Sequence, residues 1–203
     1  MARRGFCGVA LRERLAQEAA RLIVEHGIQD YGQAKRKAAA RFGVREAGVL
    51  PSNAEIESSV TEWQRIFEPE AHGHRLEYLR RVAADTMGFL SPFQPRLVGP
   101  VLNGAVTVNS SIELHLFTDS PESVALVLEQ RGVPYRDCQR RYRYNGRGVS
   151  TIPGFRFSKE GEQVFAIIFP EKGVRQAPVS PVDGRPMRRA ARGRVLALLG
   201  SSG

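Results

Sequence analysis

The sequence predicts an α+β protein in which an N-terminal helical bundle precedes a small mixed sheet with helices on one face. Three observations predict it. Apolar side chains recur at helical spacing through the first ninety residues, and "SPFQP" (91–95) then breaks the pattern with two prolines. Beyond that break the apolar period becomes two, the spacing of strands. The second half also holds one marked helix start, Ser120-Pro121-Glu122, with an N-cap residue, a proline and an early acid. Three regions follow: helices over 1–91, an α/β core over 92–172 and a basic Pro/Arg-rich tail over 173–203.

The elements can be justified in order. In "LRERLAQEAARLIVEHG" Leu11, Leu15, Ala19, Leu22 and Ile23 make one apolar stripe, which Gly27 ends. Asp30 caps a second helix through "YGQAKRKAAARF". Ser52 and Glu55 stand in capping-box spacing before a third, whose Ile56, Val60, Trp63 and Phe67 are expected in the core. A fourth, from about residue 70 to 90, presents Leu76, Leu79, Val82, Ala83 and Met87. "RLVGPVL" and "SIELHLF" read as strands, and a helix from Ser120 runs to Gly132. "VPYRDCQRRYRY" reads as a third strand, Asn145-Gly146 as a tight turn, and "FRFSKEGEQVFAIIFP" as a hairpin turning at Gly161. The tail is expected to have a mobile first half and a short helix over "RGRVLALL".

Composition narrows the function. Of 203 residues 42% are hydrophobic, enough for a packed core. No apolar run spans a bilayer, so the reading is cytoplasmic with no membrane partner. Cys7 and Cys138 lack zinc or disulfide spacing and are expected as free thiols. The His72-Gly73-His74 triplet lacks a third ligand. The net charge of +9 is segregated, with seven basic and two acidic residues over 134–160 and seven basic and one acidic from Lys172 onward. Such a face attracts nucleotides, RNA or acidic partners. No GxSxG, HExxH, P-loop or GxGxxG pattern occurs, which disfavours the hydrolases, zincins and dinucleotide-binding folds that need them.

Chemistry-bearing residues concentrate on two strands. Alternation places Ile112, Leu114 and Leu116 on one face and Glu113, His115 and Phe117 on the other. On "YRDCQRRYRY", Arg136, Arg140, Tyr142 and Tyr144 share one face; Tyr135, Asp137, Arg141 and Arg143 share the other. Arginines interleaved with aromatics suit phosphate neutralisation with base stacking, and equally suit a protected edge strand. Lys35, Arg36 and Lys37 form a second basic cluster.

"NGA", a short spacer, "SSIELHLF", a helix and a further strand together resemble the core of the polymerase-beta-like nucleotidyltransferases. That family's motif is Gly-Ser, a spacer, then Ser-Asp-apolar-Asp-Leu, with a third carboxylate on a later strand. "DYGQAKRKAAARFG" followed by "RLVGPVL" and "SIELHLFTD" also resembles a small bacterial nucleotidyltransferase-like group. The resemblance implies nucleotide binding. If catalysis is retained, it implies Mg²⁺ held by Glu113 and Asp137. His115, on the same strand face as Glu113, is itself the candidate general acid or base, which completes a catalytic set of Glu113, His115 and Asp137. The turn Asn103-Gly104-Ala105 and Arg136 and Arg140 would then bind phosphate. Departures are plain: Ser111 stands at the first carboxylate, His115 is a poor Mg²⁺ ligand, and Gly104-Ala105 replaces Gly-Ser. The expectation is therefore a nucleotide- or phosphate-binding protein with a degenerate active site. The alternative is a non-enzymatic RNA- or protein-binding module using Lys35, Arg36, Lys37, Arg141, Tyr142, Arg143 and Tyr144.

Overall fold

The structure is a computed structural model that describes residues 3–28, 30–44, 47–144 and 148–200, with side chains from Val9 onward save at Ala47. The Asn145-Gly146 turn and the Cys7 thiol expected from the sequence lie outside the described residues. The chain forms two compact units, one of Met1–Gly73 with Ala105–Ser110 and Pro181–Asp183, the other of His74–Gly104, Ser111–Ser180 and Gly184–Gly203. The division falls inside the fourth helix, not at the prolines after it. Among the described residues no helix is long and apolar enough to cross a membrane.

The helical unit is built on α1 (Arg3–His26), α2 (Tyr31–Arg41) and α3 (Asn53–Phe67). Leu15, Ala19, Leu22 and Ile23 of α1 close on Ala34 and Ala38 of α2 and on Ile56 and Val60 of α3. Alanines dominate α2's buried stripe, which lets its backbone approach closely. Asp30 accepts the Gln33 N–H at 2.6 Å, and Ser52 and Glu55 form the reciprocal capping box. Hydrogen bonds from Ser52, reinforced by Arg12, hold the Glu55 carboxyl down to about 2. The α3 stripe departs from expectation. Gln64, not Phe67, continues it inward, because the Gln64 amide donates to the Val106 carbonyl, whereas Phe67 is 65% exposed and rests on Trp63.

The sheet unit includes α4 (Pro69–Phe89) from His74 onward, which buries Leu79, Val82, Ala83 and Met87. Then come β1 (Arg96–Val98), α5 (Gly99–Asn103), β2 (Ile112–Phe117), α6 (Pro121–Gln130), β3 (Tyr135–Tyr144), β4 (Gly148–Lys159), β5 (Glu162–Phe169) and α7 (Arg192–Gly200). The sheet order is β1-β2-β5-β4-β3, with β2 and β5 parallel and all other neighbours antiparallel. Strands β3, β4 and β5 form a meander that returns the chain to β2. Ile112, Leu114 and Leu116 face the helices. On that side Phe89 of α4 meets Phe157, and α6 buries Val124 and Leu128.

The opposite face carries the C-terminal segment, which is not loose. Val179 N–H donates to Arg143 O at β3, and Leu97 of β1 exchanges hydrogen bonds with Ala190 at 2.8 and 2.9 Å. Met187 N–H returns to Pro178 O, and Val179 bridges to Pro186. This strap is therefore fastened at both sheet edges, and the expectation of a mobile first half is corrected by those backbone bonds.

Candidate functional site: one sheet face in two halves

Strand register decides which side chains meet. Paired residues on neighbouring strands point to the same face. Val98, Glu113, Phe165, Arg156 and Arg136 therefore form one row across the sheet, on the face that also carries His115, Phe117, Phe169, Arg140 and Tyr142. The strap covers one half of this face and leaves the other open.

In the covered half His115 is fully buried against Phe169, whose ring centroid lies 4.4 Å away. Arg189, from the strap, donates Nε–H to His115 Nδ1 at 3.1 Å. Since an arginine only donates, Nδ1 must accept, and the imidazole is neutral with its proton on Nε2. Nε2–H is then placed to donate to the Tyr142 hydroxyl at 3.2 Å. Burial, reinforced by the Arg189 charge, presses the His115 pKa to about 3. Arg189 also donates to Gly173 O at 2.8 Å and lies 5.0 and 5.1 Å over the Phe117 and Phe169 rings. Both imidazole nitrogens are engaged and the ring is fully buried, so the expected general acid or base has no nitrogen open to a substrate.

In the open half Glu113 is the pivot. Its side chain keeps 26% exposure, and among the described residues its one charged partner is Arg140, at 3.7 Å, beyond hydrogen-bond range. Burial raises the Glu113 pKa, and Arg140 lowers it in part. The Arg140 guanidinium lies 4.3 Å over the half-buried Phe165 ring. Gly99, which adopts φ +73° and so favours glycine at the turn, lies beside Glu113: a Cβ there would meet Oε2 at 3.5 Å, an ordinary contact. At the far end of the row Arg136 and Arg156 are direct cross-strand neighbours. Like charges in that relation repel. With Ser158 and Gln163 they line a bowl of about 560 Å³ that no acidic residue enters.

The remaining expected site residues divide sharply. Asp137 pairs with Phe155, which pairs with Ala166 and so with Leu114, so it lies on the helix-bearing face, opposite to Glu113. Three strand spacings, about 14 Å, also separate β2 from β3. The donor set therefore does not fit a divalent ion shared by Glu113 and Asp137. Among the described residues no group of three His, Cys, Asp or Glu is placed to hold a metal. Asp137 instead lines a groove with Glu122 and Glu129.

The expected phosphate turn is also reassigned. Gly104 caps α5 and gives its N–H to Pro100 O at 2.8 Å, Asn103 is exposed at the end of that helix, and Ala105 is buried in the helical unit's core. Arg141 and Arg143 are exposed on the helix-bearing face of β3, while Tyr142 is buried and Tyr144 half-buried beneath the strap, so no mixed Arg/Tyr surface forms. Lys35, Arg36 and Lys37 lie on α2 of the helical unit, Arg36 and Lys37 exposed; Lys35 is partly covered, which lowers its pKa.

Phe165, Arg156, Ser158, Gln163 and Arg189 were not singled out from sequence. The alternation in "FRFSK" did carry a signal for Arg156, because it sets the arginine opposite to both phenylalanines. Arg189 sits in a Pro/Arg-rich stretch without periodicity and had none. Comparison with family models, with curated proteins and with solved structures finds no match to this chain.

Proposed function

We propose that the protein binds a small phosphate-bearing ligand of the nucleotide class on the open half of this face, without two-metal phosphoryl transfer. The observation that carries the reading is the Arg136–Arg156 pair, directly opposed across the hairpin in a bowl free of acids. Two adjacent guanidiniums repel until an anion joins them. A phosphate then accepts charge-assisted hydrogen bonds from both, and the Ser158 hydroxyl and Gln163 amide add neutral donors. The placement of Glu113 and Asp137 on opposite faces supports the part of the reading that excludes a metal ion shared by these two carboxylates. The competing RNA-binding reading relies on tyrosines for stacking, and burial of Tyr142 counts against it.

The test is calorimetric titration of the full chain with inorganic phosphate, nucleoside mono- and triphosphates and a short single-stranded RNA, each with and without Mg²⁺. Metal-independent binding of phosphate and nucleotides, weakened about tenfold or more by Arg156→Ala, is the expected result. Absence of binding by every phosphate compound, from protein that unfolds cooperatively, overturns the reading. Binding by the RNA alone moves the function to the RNA-binding alternative.

A further inference from the structure

We infer that the open half reads the nucleobase as well as the phosphate, with Phe165 as its platform and Glu113 as the group that selects guanine. The inference rests on the phosphate reading above and adds a base subsite to it.

Geometry sets the length of the ligand. Arg156, Phe165 and Glu113 occupy adjacent strands in one row, so about 10 Å, two strand spacings, separates the backbone of Arg156 from that of Glu113. A nucleoside monophosphate covers a comparable span from its phosphate to the pairing edge of its base. Laid along the row, its phosphate meets Arg156 and Arg136, its base lies over Phe165, and its edge meets Glu113.

The ring already carries a planar group. Arg140 holds its guanidinium carbon 4.3 Å over the ring centroid, where a base could stack, and the side chain comes from β3, two strands away from β5. It therefore crosses the face as a cover that a base can displace or lie beneath, sandwiched between ring and guanidinium.

Glu113 supplies the selectivity. No hydrogen bond from a described residue reaches its carboxylate, three-quarters buried as it is, and Arg140 at 3.7 Å is its charge partner. A carboxylate drawn out of water without donors is costly, and a ligand with donors relieves that cost. Guanine offers two side by side, N1–H and the exocyclic amine, matched to the two carboxylate oxygens. Hypoxanthine keeps only N1–H. Adenine sets one amine beside the acceptor N1, which a carboxylate repels.

The experiment is calorimetric titration of the full chain at pH 7 with GMP, IMP, AMP and inorganic phosphate, for the wild type, Glu113→Gln and Arg156→Ala. GMP is expected to bind about tenfold or more tighter than AMP, with IMP between them. Glu113→Gln should abolish that order while inorganic phosphate still binds at least as tightly, and Arg156→Ala should weaken all four. If GMP, AMP and phosphate bind equally and Arg156→Ala weakens them equally, the base subsite is wrong and the phosphate reading stands. If GMP is preferred but Glu113→Gln, folded by its thermal melt, keeps the preference, the assignment to Glu113 is overturned. If nothing binds, both readings fall together.

Discussion

Glu113 and His115 are two residues apart on β2, point to the same sheet face, and each has an arginine beside it, yet their surroundings differ in kind. His115 is sealed under the strap, both nitrogens hydrogen-bonded, its arginine held in turn by carbonyls and aromatic rings. The Glu113 carboxylate keeps a path to water, accepts no hydrogen bond from a described residue, and meets its arginine at 3.7 Å. A buried imidazole with both nitrogens bonded specifies a fold, even with Arg189 Nη2 left without a partner among the described residues, while an unsatisfied carboxylate that keeps a path to water is a place for a ligand. One strand thus supplies a structural polar group and a candidate binding group, and the strap decides which is which.

The largest expected effect breaks the covered half. His115 has a folded pKa of about 3 against roughly 6.5 in the unfolded chain. The unfolded state therefore binds more protons between those values. Stability is full above about pH 6.5 and is lost as pH falls toward 3, by on the order of 4 kcal/mol. Urea denaturation from pH 7 to pH 4 measures the slope, and His115→Phe should flatten it. An unchanged slope in that variant would place the acid sensitivity elsewhere.

The same substitution at neutral pH comes next. His115→Phe leaves the Arg189 Nε–H without its acceptor and the Tyr142 hydroxyl without its partner, a loss of roughly 2–4 kcal/mol. Adding Arg189→Met removes the orphaned cation and should recover part of it. A double-mutant cycle reads the coupling; strict additivity would mean that the two side chains do not act as a unit.

In the open half the sign reverses. Burial raises the Glu113 pKa, so the folded state holds this proton more tightly than the unfolded chain does. Its contribution is present below the ordinary carboxylate pKa and is lost as pH rises through the raised folded value. Glu113→Gln removes a desolvated charge. It should therefore stabilise the protein at pH 7 by roughly 1 kcal/mol, the low end of the cost of an unsatisfied buried polar group, and by much less near pH 4. Destabilisation at pH 7 would show that the Arg140 contact outweighs desolvation.

Face assignments on β2 and β3 were legible in the sequence, because strand alternation is a local property, and the register places Glu113 with His115 and Asp137 opposite to Arg136 as that alternation requires. What alternation could not supply was the order of strands. A reader who sets β3 beside β2 brings Asp137 within reach of Glu113; the meander inserts β5 and β4 between them. Nor did local pattern reveal the strap. Its hold depends on Val179, Arg189 and Ala190 meeting partners between 16 and 93 residues away in sequence, through backbone bonds and one guanidinium that leave no periodic trace. The α3 stripe holds at Ile56 and Val60 and departs at Phe67 for a related reason, since helical spacing cannot tell that a distant carbonyl waits for Gln64.

The smallest effect separates stability from binding. Arg136 and Arg156 face each other across an antiparallel pair, an arrangement that costs a few tenths of a kcal/mol up to about 1 kcal/mol relative to neutral residues. Arg156→Thr replaces one charge with a residue that favours strands, and should raise stability by a few tenths of a kcal/mol in low-salt buffer. Added phosphate should raise the melting temperature of the wild type and leave that of the variant nearly unmoved, because only a state that binds the anion gains from it. Opposite signs for folding and binding are what a binding residue held at a cost to the fold predicts. If Arg156→Thr instead loses more than about 1 kcal/mol, the arginines stabilise the hairpin edge itself, and the open half is then a protected surface of the kind that arginines give edge strands.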